Sequence, residues 1–480
     1  MDHRTRTRTR TRTTRTRSAA AVAAVLALTV LSACTGGPVQ GRPGASGLRD
    51  PYFPRAGNGG YDVSHYGITL DYAPDSGELS GTTEITAAAT QSLSAFNLDL
   101  DGMDVESVTV DGKDARFNRA GQELTIRPAD DLKKGASFRT VVRYSGKPRS
   151  FQDPDGSEEG WIRTEDGAIA VGEPVGSMAW FPGNHHPSDK ARHDVRITVP
   201  SGYEAVSNGV LESRVSDADG TTFQWRGGAP MASYLATVAV GRYQVTTGRT
   251  PDGLPLYSAV DPSEAKRSAP ALALLPKVLA WGDKKFGPYP FNSAGAIVER
   301  GNTLGYALET QTRPVYSSAP NEELIVHEIA HQWFGNSVSP KSWRDMWLNE
   351  GFATYAQWLW SEDHDGYTAQ EKFDGFYEGD TDVDDEAGDD IWAFPPAEPP
   401  GPEYISDPPV YHRAAMVLHK IRQEVGDPAF FSLVRGWAAE RRHGSASTED
   451  FTGYAEARTG HDLDDVWDTW LYGKAKPATP

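Results

Sequence analysis

Residues 327–331 read His-Glu-Ile-Ala-His, and this motif constrains the chain more than any other part of its sequence. It stands within an apolar stretch that predicts a helix over residues 322–334. Residues four apart lie on one face of a helix, so His327 and His331 can reach the same metal ion. Glu328 projects from an adjacent position, where its carboxylate can hold a water molecule without binding the metal. A chain of this length and composition contains about 0.02 such motifs by chance, so the motif alone is suggestive but not decisive.

A third metal ligand is expected from the next predicted helix. Glu350 lies 19 residues after His331, and a short loop can turn its helix back toward the first. Two histidines and one glutamate with an open fourth position are typical of catalytic zinc, whereas structural zinc sites are closed and usually contain cysteine. Requiring this acid lowers the chance expectation to about 0.001. The sequence therefore predicts one Zn²⁺ per chain.

The composition excludes several other classes of protein. With 480 residues, 38% hydrophobic and 24% charged, the chain suits a multidomain globular fold and not a disordered or collagen-like one. Its 47 Lys and Arg stand against 66 Asp and Glu, a formal net charge of −19. Such a surface disfavours a nucleic acid partner, because binding phosphates needs an excess of basic side chains.

The first 33 residues have the composition of a secretory signal peptide. Residues 4–17 alternate Arg and Thr, and an apolar stretch over residues 19–31 follows, too short to span a bilayer permanently. Residues 31–34 read Leu-Ser-Ala-Cys, which resembles a bacterial lipoprotein cleavage site, and Cys34 is the only cysteine. We expect lipidation of Cys34 and a cell-surface lipoprotein on the outer face of the cytoplasmic membrane. The alternative is a secreted protein whose cysteine stands there by chance.

The rest of the chain divides by its hydrophobic pattern. Residues 34–60 are rich in Gly and Pro, which predicts a flexible tether. Residues 61–248 show period-2 alternation with Asp-Gly turns at 101–102 and 111–112, which predicts an antiparallel β domain. From 249 to 474 the pattern is mainly helical, and residues 475–480 form a tail. Because there is one cysteine, no internal disulfide can hold the fold.

At this level of detail the sequence resembles the gluzincin aminopeptidases, the family related to aminopeptidase N and leukotriene hydrolase. The resemblance rests on the contexts of the two zinc segments, His-Glu-Ile-Ala-His-Gln-Trp-Phe-Gly-Asn at 327–336 and Trp-Leu-Asn-Glu-Gly-Phe-Ala at 347–353, and extends over about residues 60–474. It implies an N-terminal β-saddle domain followed by a thermolysin-like (α+β), mainly helical catalytic domain. The chain is expected to be a short form that ends without the family's C-terminal helical domain.

The resemblance also implies substrate-binding residues. Residues 306–310 read Tyr-Ala-Leu-Glu-Thr where the family has Gly-Ala-Met-Glu-Asn. Glu309 thus corresponds to the carboxylate that binds the substrate's free amine, with Ala307 and Leu308 beside the peptide. The family's Gly and Asn are replaced here by Tyr306 and Thr310. Glu173, in Gly-Glu-Pro at 172–174, corresponds to a second amine-binding residue.

These residues predict a zinc aminopeptidase that removes N-terminal residues from peptides. Glu328 is expected to act as general base on the attacking water, and Tyr411 matches the family's tyrosine that stabilises the tetrahedral intermediate. The expected partners are peptides with a free N-terminus and, through Cys34, a membrane; a monomer is the default expectation. Two alternatives stay open, which are a zinc hydrolase acting as an endopeptidase or on a non-peptide substrate, and an inactive surface binding protein.

Overall fold

The computed structural model describes residues 40–301, 303–383 and 388–480, and its residues from 40 onward belong to one compact unit. The predicted signal peptide and Cys34 lie outside the described residues. Among the helices described, none combines the length and the apolar character that crossing a bilayer requires.

The first half of the described chain is built from strands whose side chains alternate between core and solvent. In Ser137–Gly146 the side chains of Phe138, Thr140, Val142 and Tyr144 are all buried, on the one face that the sequence pattern predicts. Asp111 and Gly112 both have positive φ and form the tight turn expected there, joining two paired strands.

Four sheets make up most of this strand-rich half and its junction with the helices. The nine-stranded sheet contains Val210–Ser216, Thr221–Arg226, Lys190–Val199, Tyr61–Ala73, Glu78–Ala89, Ser137–Gly146, Asp104–Val110 and Lys113–Asp114, with Met231–Ala232 beside Lys190–Val199. A five-stranded sheet contains Ser150–Gln152, Glu158–Arg163, Ala168–Val171, Val238–Gly241 and Glu204–Ser207. The two four-stranded sheets contain Arg42–Pro43, Leu93–Asp99, Glu123–Arg127 and Arg116–Ala120, and then Gln244–Arg249, Pro255–Val260, Ala294–Val298 and Val315–Tyr316.

Helices dominate the second half. The α-helices are Ala265–Leu272, Leu275–Phe286, Glu322–Ala330, Trp347–Asp363, Ala369–Glu378, Ala414–Val425, Asp427–Glu440, Thr448–Thr459 and Asp464–Val466. Short 3₁₀ turns (Gly176–Ala179, Ser233–Leu235, Trp343–Asp345, Asp389–Trp392 and Pro402–Tyr404), π-helical turns (Pro409–Arg413 and Trp467–Leu471) and a two-stranded pair (Ser339–Pro340 with Ser445–Ala446) complete the described elements.

The segment 42–60, which the sequence predicts as part of a tether, is instead packed onto the fold. Arg42–Pro43 pairs with Leu93–Asp99, and Asp50 is buried. The carboxylate of Asp50 accepts hydrogen bonds from the hydroxyl of Ser342 (2.8 Å) and the amide of Trp343 (3.0 Å) in the helical half. The prediction of a tether over residues 34–60 is therefore wrong for this segment. Its Gly and Pro content suggests flexibility, but hydrogen bonds of polar side chains such as Asp50 fix its backbone to the fold.

The strand-rich and helical halves are also joined through two buried cations. The ammonium of Lys190 donates to the carbonyls of Asn336, Ser337 and Gly444 at 2.8, 2.9 and 3.0 Å. The guanidinium of Arg313 donates to two carbonyls of the strand-rich half, those of residues 207 and 209. These hydrogen bonds cross the junction from both sides and so hold the two halves in one arrangement.

Candidate active site

Two packed helices bring the predicted metal ligands together. Glu322–Ala330 begins at Asn321, whose side chain accepts a hydrogen bond from the amide of Leu324 and caps the helix. It carries His327, and His331 follows at its C-terminal end. The helix Trp347–Asp363 packs against it and presents Glu350 from its first turn.

The three ligand side chains converge on one point. Glu350 Oε2 lies 3.2 Å from His327 Nε2 and 3.4 Å from His331 Nε2. All three residues are buried. Side-chain atoms of two imidazoles and one carboxylate at this spacing form the donor set that Zn²⁺ takes at catalytic sites.

The opposite ring nitrogen of each histidine is held by the protein. His327 Nδ1 is 3.1 Å from Gln357 Oε1, and His331 Nδ1 is 3.1 Å from the carbonyl oxygen of Phe334. Both acceptors require an N–H at Nδ1, which leaves each Nε2 with its lone pair directed toward Glu350. The chain therefore fixes the tautomer that a metal needs, and the residues present fit zinc.

The electrostatics of these residues agree with that assignment. Burial disfavours ionisation of Glu350, but the neighbouring His331 and His327 outweigh it and lower the pKa of Glu350 to about 2. Burial likewise disfavours charge on the two histidines, and Glu350 outweighs it and raises the pKa of both. A carboxylate that stays ionised beside two imidazoles is suited to a divalent cation.

Glu328 and Tyr411 lie in the same cavity as the metal ligands. Glu328 is buried, and its Oε2 has no hydrogen-bond partner among the described residues. Burial raises the pKa of Glu328 well above its usual value, which makes its carboxylate a stronger proton acceptor. The ring of Tyr411 is stacked on that of His327, with centroids 6.1 Å apart. Burial and Glu350 raise the pKa of Tyr411 well above its usual value, so its hydroxyl stays a donor.

Glu309 and Glu173 also line this cavity. Burial and the charge of Glu309 raise the pKa of Glu173 well above its usual value. Burial also raises the pKa of Glu309, whose Oε1 has no partner among the described residues. The loop after Glu173 is held by Glu159, whose Oε2 accepts hydrogen bonds from the amides of Val175 (2.9 Å) and Gly176 (2.6 Å). The predicted amine-binding pair therefore meets in one place, although 136 positions separate the two residues in the sequence.

Residues 306–310 differ in part from the expectation. Ala307 lines the cavity, but the side chain of Leu308 lies in the hydrophobic core. The amide of Leu308 donates to the carbonyl of Val315, and its own carbonyl accepts from the amide of Thr310. The prediction that Leu308 contacts substrate is wrong here, because the chain's own backbone uses its polar groups and the core takes its side chain.

The cavity itself has a volume of about 590 Å³ and contains residues that the sequence did not single out. Gln357 lies two helical turns after Glu350 on the same face, a spacing that could have revealed it. Asp153 comes from a loop of the strand-rich half and carries no comparable local signal. Trp358 and Lys372 complete the wall on the helical side.

Comparison with known proteins identifies the family. The Peptidase M1 N-terminal domain matches residues 62–235, and the Peptidase family M1 domain matches residues 290–470. The chain belongs to peptidase family M1. This confirms the resemblance to gluzincin aminopeptidases and the predicted order of a β domain followed by a mainly helical catalytic domain.

Several M1 relatives are similar along most of this chain. Probable aminopeptidase 1 of Saccharolobus solfataricus is 26% identical over 462 residues, covering 87% of this chain and 54% of the relative. Aminopeptidase 2 of Candida albicans is 24% identical and covers 85% and 46%. The chain thus spans about half the length of the curated relatives it matches.

A solved M1 structure matches over nearly its whole length. The crystal structure of an M1 zinc metallopeptidase from Deinococcus radiodurans has a TM-score of 0.83 and 27% identity, and it covers 90% of this chain and 98% of its own. A mutant of that enzyme bound to a Tyr-Ser-Ala substrate gives a TM-score of 0.82 at 27% identity, covering 90% and 99%. Zinc is the cofactor of these M1 relatives, in agreement with the donor set described above.

Proposed function

We propose that this M1 protein is a zinc aminopeptidase that removes the N-terminal residue of peptides. The observation that carries the proposal is the position of Glu309, a buried carboxylate without a hydrogen-bond partner on Oε1, in the cavity that also contains His327, His331 and Glu350. A carboxylate there can pair with the ammonium of a free N-terminus and so fixes cleavage at the first peptide bond. The related enzyme that binds a Tyr-Ser-Ala substrate supports this substrate class.

The chain's own residues supply the proton transfers. The two histidines and Glu350 would hold the zinc ion, which would supply a Lewis acid for the scissile carbonyl and the attacking water. Glu328 takes a proton from the attacking water and passes it to the leaving amine, so that one water molecule is consumed for each bond cleaved. Tyr411 donates a hydrogen bond to the oxygen of the scissile carbonyl as negative charge develops there.

An aminopeptidase differs from an endopeptidase because its substrate needs a free N-terminal amine. Wild-type protein is expected to cleave a tripeptide with a free amine and to leave its N-acetylated form intact, because acetylation removes the charge that Glu309 binds. Glu309→Ala should slow cleavage of the free tripeptide while zinc content stays at one per chain. Internal cleavage of the acetylated peptide at the rate of the free one would establish an endopeptidase instead.

We further propose that the protein is exported and anchored through Cys34. The support is the sequence of residues 1–34, with its basic start, short apolar stretch and Leu-Ser-Ala-Cys end. Wild-type protein is expected in the membrane fraction of cells and the Cys34→Ala variant outside it. Recovery of both proteins in the soluble fraction would contradict the anchor without affecting the proposed activity.

A further inference from the structure

The active-site cavity contains a carboxylate that neither the zinc site nor the substrate amine uses. Asp153 lines this cavity and is 7% exposed. Its Oδ1 makes no hydrogen bond, and its carboxylate takes part in no ion pair within residues 40–301, 303–383 and 388–480. Burying a carboxylate without a partner is costly, so a cation supplied from outside the chain would remove that cost.

Asp153 affects the pKa of groups at the amine end of the cavity, which is the part lined by Glu173 and Glu309. Burial and the charges of three other carboxylates contribute most to the raised pKa of Glu173, and the charge of Asp153 adds to them. The charge of Asp153 also contributes to the raised pKa of Tyr306. Tyr306 lies in the wall of the cavity beside this loop, with its hydroxyl donating to the carbonyl of Glu158 at 2.9 Å. The side chain of a peptide's first residue branches from the carbon that carries its α-amine, so a peptide whose amine lies at Glu173 and Glu309 brings that side chain into the same cavity as Asp153.

Acidic side chains are concentrated around this position. Four further acids outside the zinc site and the general base line the cavity, and these are Asp155, Glu173, Glu309 and Glu323. Burial and Asp155 raise the pKa of Asp153 to about 7, and a substrate cation beside it would favour its ionised form. Lys372 also lines the cavity, but its ammonium donates to the carbonyl of Val383 at 3.0 Å.

We propose that Asp153 is a specificity-determining residue that binds the cationic side chain of an N-terminal Arg or Lys. The inference rests on the proposed aminopeptidase function and adds a substrate class to it. The carboxylate of Asp153 pairs with the guanidinium or ammonium, while Glu309 and Glu173 hold the α-amine. A first residue with a neutral side chain leaves Asp153 buried without a partner and is therefore a poorer substrate.

The test compares arginine with citrulline, which has nearly the same shape and no charge. Wild-type protein is expected to cleave an arginyl reporter with a kcat/KM about 10- to 100-fold above that of the citrullyl reporter, the range for one charge-assisted hydrogen bond. In Asp153→Asn this ratio should fall to about one, chiefly through the arginyl reporter. A wild-type ratio of one or less, or an unchanged ratio in Asp153→Asn, overturns the proposal.

Asp155→Asn is the matched control, because it removes one negative charge from the same loop. Asp155 is exposed, and its Oδ1 accepts from the amide and the hydroxyl of Ser157. The control should change the ratio by less than about threefold, since an exposed charge is screened by water. An equal loss of the ratio in both variants would assign the preference to the general field of the loop and overturn the role of Asp153.

The experiment also separates this inference from the aminopeptidase proposal. Cleavage of the citrullyl reporter shows aminopeptidase activity whatever the ratio. If no reporter is cleaved, the aminopeptidase proposal fails and calorimetry decides the inference on its own. Tighter binding of free L-arginine than of L-citrulline by wild-type protein, lost in Asp153→Asn, would support the site, and equal binding would overturn it.

Discussion

The buried carboxylates at the two ends of the active-site cavity have pKa values that are shifted in opposite directions. At the metal end, Glu350 has two imidazoles within 3.4 Å, and its pKa falls to about 2. At the amine end, burial raises the pKa of Glu173 and of Glu309, and no Lys or Arg forms an ion pair with either among the described residues. The metal end is thus prepared by the chain's own side chains. Under the proposed function, the amine of a peptide supplies the positive charge at the amine end.

The largest expected effect comes from removing a ligand at the metal end. His327→Ala or Glu350→Ala should lose both zinc and activity, the activity by at least about 10³-fold, because several kcal/mol of transition-state stabilisation come from the metal. Glu309→Ala should keep its zinc. Metal analysis of the purified variants, together with reporter assays, checks this contrast. Loss of zinc from Glu309→Ala would show that the two ends are not independent.

The next prediction separates proton transfer from metal binding at the metal end of the cavity. Glu328→Gln removes the proton acceptor but keeps the shape of the side chain, so zinc content should stay near one per chain. The rate constant kcat should fall about 10²- to 10⁴-fold. Steady-state kinetics on a leucyl reporter, with metal analysis of the same sample, measure both quantities. Full activity in this variant would assign the proton transfer to another group.

A somewhat smaller loss is expected when the hydroxyl beside His327 is removed. Tyr411→Phe should lower kcat about 10²- to 10³-fold with little change in KM, since its hydrogen bond strengthens only as charge develops on the carbonyl oxygen. An increase in KM with kcat unchanged would mean that Tyr411 only binds the substrate. The stacked ring remains in the variant, so zinc binding serves as the control.

The smallest expected effect concerns Asp50, which supports the turn before the helix of Glu350, and this effect depends on pH. Burial opposes ionisation of Asp50, but His186 and the hydrogen bonds from Tyr52, Phe53 and Ser342 outweigh it and lower the pKa of Asp50 to about 2. Because the folded-state pKa lies below the ordinary aspartate value of 3.8, the stabilisation is full above about pH 4 and is lost as pH falls through 2. Asp50→Asn should therefore cost about 2 kcal/mol of unfolding free energy at pH 7.

Urea unfolding of wild type and Asp50→Asn at pH 7 and pH 3 measures this difference. The gap between the two proteins should be smaller at pH 3. Asp62→Asn offers a control, because Asp62 is exposed on a strand of the β domain. A gap that is the same at both pH values would show that the charge of Asp50 does not stabilise the fold.

Local patterns predict the elements and the two histidine ligands, because these depend on spacing along one helix or strand, whereas Glu350 comes from the next helix. The alternation at 138–144 and the motif at 327–331 are of this kind. Within the mainly helical pattern from residue 249 onward, residues 265–286 form two helices, Ala265–Leu272 and Leu275–Phe286. Pro276 explains the break, since proline lacks the amide of a helix interior and favours the first turn of a new helix.

Residues that act across the two halves could not be found in this way. Asp153 comes from the strand-rich half, and its meeting with the catalytic helices in one cavity depends on tertiary packing. Glu173 could be suggested only through the family resemblance. Leu308 shows the reverse error, because matching a motif by position did not tell which side chain turns into the core.

The packed segment 42–60 determines how far the N-terminus of a recombinant protein can be truncated. The match to the Peptidase M1 N-terminal domain begins at residue 62, yet Asp50 holds the turn Trp343–Asp345, immediately before the helix that carries Glu350. A recombinant protein that starts at the boundary drawn by sequence similarity would lack that hydrogen-bonded support. The N-terminal boundary of the matched family domain therefore lies inside the folded unit.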